Sequence, residues 1–233
     1  MELRVKWRYV LLAALIIALF IQYQNRSPKR QYSDFHYPYL TGQLLLAGEK
    51  IYSLHTGFSY FKYPPFYATL MVPLSVLSEQ IAASIWFLVN VLFLLILFIY
   101  SRKIIAPDDD SDRLWLYVIT LVVMWRFLLG NMHQGQANVF MTTLLTLGLY
   151  FHLQRKDIKA GLMLGFASMT KYMPVVFLPY LLRRSWKLLV ASGATIIALV
   201  LFPAIGYGWG ANKTLHRELA EFLFASSLDP WSI

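Results

Sequence analysis

The sequence has 233 residues, and its 21 Lys and Arg against 12 Asp and Glu give a formal net charge of +9. Hydrophobic residues make up 58% and charged residues only 14%, whereas a soluble domain has about 45–50% apolar and about 25% charged residues. These proportions exclude a disordered chain and argue strongly against a soluble enzyme. The absence of cysteine excludes a disulfide framework, a thiolate nucleophile and a cysteine metal site. We therefore predict an all-α integral membrane protein.

Six apolar segments predict a polytopic transmembrane helical bundle in a single domain, residues 1–233, because a spanning helix needs about 20 mostly apolar residues. The first segment, about Arg8 to Tyr23, follows basic residues and has no small-residue cleavage site after it. It is therefore predicted to be an uncleaved signal anchor with a cytoplasmic amino end. The other predicted spans are Ile81–Tyr100, Leu114–Gly130, Ala137–Leu153 and Leu188–Tyr207, and the remaining apolar segment is Ala160–Leu182.

The positions of Lys and Arg orient the bundle, because short cytoplasmic loops carry an excess of both. The loops assigned to the cytoplasm are 102–103, 155–159 and 183–187. The segments then placed outside are 25–62, 130–136 and the partly amphipathic tail after Gly208. This arrangement requires residues 64–78 to form a short interfacial or re-entrant helix. It also requires residues 160–182 to enter and leave the membrane on one side, with a break near Lys171 and Pro174. If residues 64–78 span the membrane instead, every later loop changes side.

The long first outer loop, about residues 25–62, holds Asp34 among basic and aromatic residues. One interpretation makes Asp34 the N-cap of a helix that starts at Phe35, whose backbone donors it would satisfy. The other makes Asp34 a general base that deprotonates a sugar hydroxyl for attack on an activated donor. Nearby cations, such as the Arg26–Arg30 cluster, favour the charged carboxylate that such a base needs.

The loop closes with the sequence Tyr63-Pro64-Pro65. Proline restricts the residue before it to extended geometry and is well tolerated at a helix start, so a helix is predicted to begin near Pro65. The same turn would hold Lys62 and Tyr63 at the membrane surface.

Two ionisable residues lie inside predicted spans, where their cost marks them as candidates for function. Arg126 lies close to the outer end of its span, so snorkelling to the interface is the structural alternative. Lys171 lies in the middle of its segment, ahead of Pro174, where a broken helix could expose its ammonium to a cavity. Lys171 could pair there with a lipid phosphate or with an acidic side chain.

A polar turn, His133–Asn138, connects two predicted spans. Gly135 suits a tight turn, and the amides of Gln136 and Asn138 could hydrogen-bond to sugar hydroxyls; an ordinary loop is the alternative. The five histidines are scattered and no metal-ligand spacing is present, so no metal site is expected. The basic charge lies mostly in the loops that membrane orientation requires, so nucleic acid is not an expected partner.

Three sets of motifs, taken in order, resemble glycosyltransferase family 87 over about residues 1 to 205. That family includes polyprenol-phosphate-mannose-dependent α-1,2-mannosyltransferases. The first set is Asp34-Phe35, Tyr37, Tyr39, Ile51-Tyr52 and Tyr63-Pro64-Pro65-Phe66. The second set is Gly135-Gln136-Ala137-Asn138. The third set is the segment Ala160–Ala167, then Lys171, Tyr172, Pro174 and the Arg183-Arg184 turn.

The resemblance implies a GT-C fold in the cell membrane, with the active site facing outside the cytoplasm. It implies a polyprenyl-phosphate sugar as donor, a glycan or glycolipid acceptor and no cofactor. The family's catalytic base corresponds to Asp34. The residues expected to bind the donor phosphate or substrate are Lys171, Arg126, Lys62, Tyr63, Gln136 and Asn138.

Members of the family generally carry more spans than this sequence shows. Further spans are therefore expected to be missing after Ile233, which would leave an N-terminal portion of a longer enzyme. Two alternatives follow from the residues themselves. One is an inactive scaffold left by truncation, and the other is a transporter or flippase, which also places ionisable residues in broken helices.

Overall fold

The computed structural model describes residues 34–52, 61–105, 114–177 and 185–228, with residues 17, 20, 21 and 179. Most of the predicted first span, the Arg26–Arg30 cluster and Arg183-Arg184 lie outside these residues. The described part of the chain is all-helical, with eight α-helices, one 3-10 helix and no strand. This confirms the all-α class.

The helices are numbered in chain order. They are α1 (His36–Ala47), α2 (Pro65–Ser75), α3 (Glu79–Ile105), α4 (Leu114–Gln134), α5 (Asn138–Leu153), α6 (Asp157–Thr170), α7 (Trp186–Leu201) and α8 (Pro203–Leu228), which is kinked at Gly208. The 3-10 helix, Met173–Phe177, lies between α6 and α7. Helices α3, α4 and α5 cover three of the predicted spans.

The predicted outer loop is partly helical, because it contains α1, which packs on α2. Helix α2 begins at Pro65, as the Tyr63-Pro64-Pro65 sequence predicts. Its 11 residues reach about 16 Å, which is too short for a hydrocarbon core of about 30 Å. The length of α2 agrees with the interfacial or re-entrant interpretation of residues 64–78.

Two proline-linked breaks interrupt the apolar segments. Helix α6 ends at Thr170 and Lys171 is extended, three residues before Pro174, as the sequence predicts. The last predicted span ends earlier than expected, at Leu201 rather than Tyr207, and α7 and α8 meet there at 77°. Pro203 starts α8, and its ring and missing N–H are incompatible with a continuous helix at that point.

Among the described helices, α3 has the length and apolar composition needed to cross a membrane. The bent pair α7 and α8 would provide a second span if the two helices are counted together. Helix α5 is apolar but shorter, with 16 residues.

The main core lies where α1, α2, α3 and α8 meet and is rich in aromatic side chains. Its buried aromatic residues are Phe35, Tyr39, Tyr52, Phe61, Tyr67, Trp86, Phe87 and Phe222. Helices α6 and α7 pack closely elsewhere, because Gly161 and Gly165 face α7 without side chains. A Cβ at Gly161 would lie 2.5 Å from the Leu188 carbonyl oxygen, which is the close helix contact that small residues permit in membrane proteins.

Candidate active site

Four of the predicted site residues form one hydrogen-bonded chain, which we call the polar row: Asp34, Gln136, Asn138 and Lys171. Gln136 Nε2 donates to Asp34 Oδ2. Asn138 Nδ2 donates to Gln136 Oε1 at 2.7 Å, and Lys171 Nζ donates to Asn138 Oδ1 at 2.9 Å. The polar row therefore connects a carboxylate to an ammonium through two amides.

The direction of the polar row is fixed by its ends. An ammonium can only donate and an ionised carboxylate can only accept, so each amide must accept on the Lys171 side and donate on the Asp34 side. Aligned bonds of this kind polarise and strengthen one another. The second N–H of Gln136 donates to Gln134 Oε1 at 2.8 Å. The Gln136 amide is therefore held at both its oxygen and its nitrogen.

The turn after α4 brings Gln136 to Asp34. Gly135 has φ +65° and donates to the Met132 carbonyl at 3.3 Å, which ends the helix. A Cβ at Gly135 would lie only 2.6 Å from Phe35 Cβ. The Phe35 N–H donates to the Gln134 carbonyl at 2.9 Å. Glycine therefore allows both the left-handed turn and the close approach that places Asp34 beside Gln136.

Trp86 on α3 fixes this turn from the other side and is a residue that the sequence analysis missed. Its side chain is 4% exposed, and Nε1 donates to the Gly135 carbonyl at 2.7 Å. Its ring stacks on Phe35, with 6.3 Å between the centroids and 28° between the planes. A buried tryptophan needs a hydrogen-bond partner for its N–H. Trp86 lies in a predicted apolar span, so this requirement was the sequence signal that could have marked it as a contact residue.

Lys171 enters the site because α6 ends one residue before it. Its extended backbone still donates to the Ala167 carbonyl at 3.1 Å, and its half-buried side chain turns toward Asn138. An ammonium has three donors, and the polar row uses one of them. Two N–H groups of Lys171 can therefore serve an anionic ligand.

Tyr63 lies near the Asp34 end of the polar row. Burial, and then the negative charge of Asp34, raise the pKa of the Tyr63 hydroxyl above its usual value, so the hydroxyl stays protonated at neutral pH. The Tyr63 carbonyl accepts from the Tyr52 hydroxyl at 2.6 Å, and its ring packs 4.9 Å from that of Tyr67. The neighbouring Lys62 is exposed.

The structure does not bring Arg126 into the polar row. Arg126 is exposed on α4, about 12 Å along the helix axis before Gln134, and its role in substrate binding stays a prediction.

The N-cap interpretation of Asp34 is not what the structure shows, because the N-cap of α1 is Phe35. Within the described ranges, no group of three or more His, Asp or Glu residues could hold a metal ion.

The protein is all-helical in its described part, and one of its helices is long and apolar enough to cross a membrane. Its candidate site holds a carboxylate and an ammonium in the polar row. Residues 61–227, more than two thirds of the chain, match glycosyltransferase family 87. The chain belongs to that family, and the transfer of a sugar from a donor to an acceptor is the activity the family implies. No curated protein and no solved structure matches the chain significantly.

The match confirms family 87, which the sequence motifs predicted over about residues 1 to 205, for residues 61–227, and it favours a transferase over a transporter. It covers most of the candidate site but begins after Asp34. The candidate residues inside the matched range are Lys62, Tyr63, Arg126, Gln136, Asn138 and Lys171. Asp34 lies outside the matched range, and its side chain contacts that range through the hydrogen bond to Gln136.

Proposed function

We propose that this chain is a polytopic membrane hexosyltransferase that uses a polyprenyl-phosphate sugar as donor, with mannose as the expected sugar. The acceptor is a hydroxyl of a glycan or glycolipid at the extracytoplasmic face. The observation that carries this proposal is the polar row, because it pairs a candidate base with a candidate phosphate-binding cation. A base can activate the attacking hydroxyl, and a cation can stabilise the departing phosphate.

Asp34 acts as the base in this proposal. The polar row occupies Asp34 Oδ2, and Oδ1 can accept the proton of the acceptor hydroxyl. As that proton moves to Asp34, the acceptor oxygen attacks the anomeric carbon and the bond from that carbon to the phosphate oxygen breaks. A single displacement of this kind inverts the anomeric configuration.

Lys171 stabilises the leaving group. The polyprenyl phosphate gains negative charge as its bond to the sugar breaks, and a positioned ammonium offsets that charge in the transition state. Gln136 and Asn138 keep the cation and the base at a fixed separation. The second N–H of Asn138, with Tyr63 and the exposed Lys62, supplies hydrogen-bonding groups around the sugar and phosphate.

A multi-pass membrane location is supported by exposed apolar side chains on more than one helix. Large exposed apolar patches mark protein or membrane contact surfaces. Helix α4 has 21 residues and extends about 32 Å, enough for a bilayer core. The exposed apolar residues on α3 and α4 include Ile85, Leu88, Leu92, Val122 and Phe127.

The proposal is tested by transfer from a radiolabelled polyprenyl-phosphate mannose to a mannoside acceptor, with the chain reconstituted in phospholipid nanodiscs. Loss of general-base catalysis costs about 10²- to 10⁴-fold in rate, so Asp34→Asn should lower kcat by that factor. Glu49→Gln, which changes an exposed carboxylate after α1, should retain the wild-type rate. Lys171→Met should raise the KM for the donor as well as lower kcat. Wild-type turnover in Asp34→Asn would remove Asp34 from its proposed role.

The orientation is tested separately by reporter fusions. Reporters inserted in residues 25–62 and 130–136 should be active outside the cytoplasm, and one inserted in residues 155–159 should be active inside. A cytoplasmic reporter at residues 25–62 would contradict the proposed face of the active site.

A further inference from the structure

An apolar groove lies between α5, α6 and α7. Its volume is about 370 Å³, which is within the range of small-molecule sites. Its apolar walls are Leu145 and Leu149 on α5, Leu164 on α6, Leu188 on α7 and Phe177 in the 3-10 helix. Leu149 is 50% exposed and Phe177 is 49% exposed, so the groove reaches the surface of the helix bundle. In a bilayer, such a groove can receive a hydrocarbon chain.

His152 lines the groove at the end remote from the polar row. It lies about 21 Å along α5 from Asn138. His152 Nδ1 donates to Asp157 Oδ1 at 2.8 Å, and Ser185 Oγ donates to Asp157 Oδ2 at 2.6 Å. The carboxylate of Asp157 is therefore held by two partners within the fold, and Nε2 of His152 takes no part in these bonds. This end of the groove is polar, whereas its walls are apolar.

The same end of the groove is strongly basic. Residues 154–160 and 183–187 contain six Lys or Arg and a single acidic residue, Asp157. Lys156 and Lys159, at the start of α6, are both exposed. The acidic run 108–112 follows α3, and the residues that line the groove do not belong to α3. The basic end therefore suits an anionic group.

The position of Lys159 places an ammonium beside the groove. Lys159 Nζ lies 5.9 Å from the centre of the Phe151 ring. Phe151 packs against a small buried cluster that consists of Ala160, Leu164 and Leu188. All three residues of that cluster line the groove. A phosphate bound by Lys159 would thus lie next to a chain held in the groove.

The depth of the groove matches one leaflet of a bilayer. Trp186, at the start of α7, is 68% exposed and follows Ser185. Exposed tryptophans gather at the membrane–water interface, which places His152 and its partners near the lipid head groups. From His152 to Thr142 the groove follows α5 for about 15 Å, and the whole hydrocarbon core is about 30 Å thick.

We propose that this groove binds one anionic phospholipid from the leaflet on the side of residues 155–159. One acyl chain occupies the groove, and the phosphate lies on Lys156 and Lys159. Basic pockets between helices on the cytoplasmic side bind anionic head groups in this way. The inference goes beyond the proposed transfer: it uses the proposed membrane location but no catalytic step. The donor phosphate is assigned to Lys171, at the other end of the polar row from Asp34.

Photo-crosslinking tests where the lipid lies. The chain is placed in phosphatidylcholine nanodiscs with a trace of phosphatidylglycerol that carries a diazirine on one acyl chain. A second arm uses phosphatidylcholine with the same label. We expect phosphatidylglycerol to label residues 142–152 and 160–164 more than phosphatidylcholine does. Both lipids should label the exposed Leu88 and Leu92 of α3 equally. Equal labelling of the groove by the two lipids overturns the proposal.

A pair of double variants tests the basic end. Each Lys near an anionic lipid surface strengthens binding by roughly fivefold, so Lys156→Gln with Lys159→Gln should lower the excess phosphatidylglycerol labelling by roughly 25-fold. Arg102→Gln with Lys103→Gln is the matched control, because these two residues are also exposed, lie at the end of α3 and do not line the groove. The control should keep the excess labelling. An equal fall in both double variants would show general surface attraction and overturn the site.

Competition and activity separate this inference from the proposed function. Unlabelled phosphatidylglycerol should displace the label from the groove. Stronger displacement by polyprenyl phosphate would make the groove a donor site and overturn the proposal. Asp34→Asn should keep the labelling while it loses transfer. Preferential labelling in a wild-type chain that transfers nothing would support the lipid site and contradict the catalytic proposal. Transfer without preferential labelling would refute the lipid site alone.

Discussion

Gly135→Ala tests whether the turn after α4 positions Asp34. At φ +65° an alanine costs roughly 1–2 kcal/mol in backbone strain. Its Cβ would also lie 2.6 Å from Phe35 Cβ, whereas carbon atoms in contact are about 3.5–4.0 Å apart. Phe35 would therefore have to move by about 1 Å, and it cannot move freely because Trp86 stacks on its ring.

That displacement should reach Asp34 because Asp34 directly precedes Phe35. A misplacement of about 1 Å can cost about 10²-fold in rate, so we expect Gly135→Ala to lose that much transfer activity in the nanodisc assay. Gly48→Ala is the control for strain alone, because φ is +71° there and no described atom lies within 4 Å of its Cβ position. Gly130→Ala, also without such a neighbour, controls for added bulk in a helix. If Gly135→Ala transfers sugar as fast as Gly48→Ala, the positioning argument is wrong.

Two further predictions concern the contact between α6 and α7. Gly161→Ala should lower stability by about 1–3 kcal/mol, measured as a lower Tm, because its Cβ meets the Leu188 carbonyl oxygen. Gly193→Ala is the control and should leave the Tm unchanged, because no described atom lies near its Cβ position. Hydrogen bonds from Ser185, and then from His152, lower the pKa of Asp157 below its usual 3.8. The ionised Asp157 therefore stabilises the folded state at a pH above its pKa in the unfolded chain. This stabilisation is lost as the pH falls through the pKa of Asp157 in the folded state. The Tm advantage of wild type over Ser185→Ala should therefore shrink on acidification from about pH 5 to about pH 3; a constant difference would contradict the linkage.

Several features of the site could be predicted from the sequence because they follow local rules. The Tyr63-Pro64-Pro65 sequence predicted the start of α2, and the polar turn was predicted at Gly135. Lys171 was predicted at a helix break, where the structure has it. Each of these rules depends on the backbone restrictions of proline or glycine and on neighbours within about one helical turn.

The contacts that assemble the site could not be predicted in this way. Asp34 and Gln136 are 102 residues apart in sequence, Trp86 and Gly135 are 49 apart, and both pairs are hydrogen-bonded. Nothing in the local pattern at Trp86 indicates which carbonyl its N–H will reach. The bend after Leu201 also depends on packing, and the sequence analysis instead continued that span to Tyr207.

The sequence by itself determined the all-helical class and the places where helices must begin or break, because composition, proline and glycine act on the chain locally. The order of its motifs predicted family 87 and the candidate site residues. Only the tertiary structure decided that a carboxylate, two amides and an ammonium form one directed hydrogen-bonded row. Hydrogen bonds between distant residues depend on how helices pack, and that packing is set by side-chain fit across the whole core.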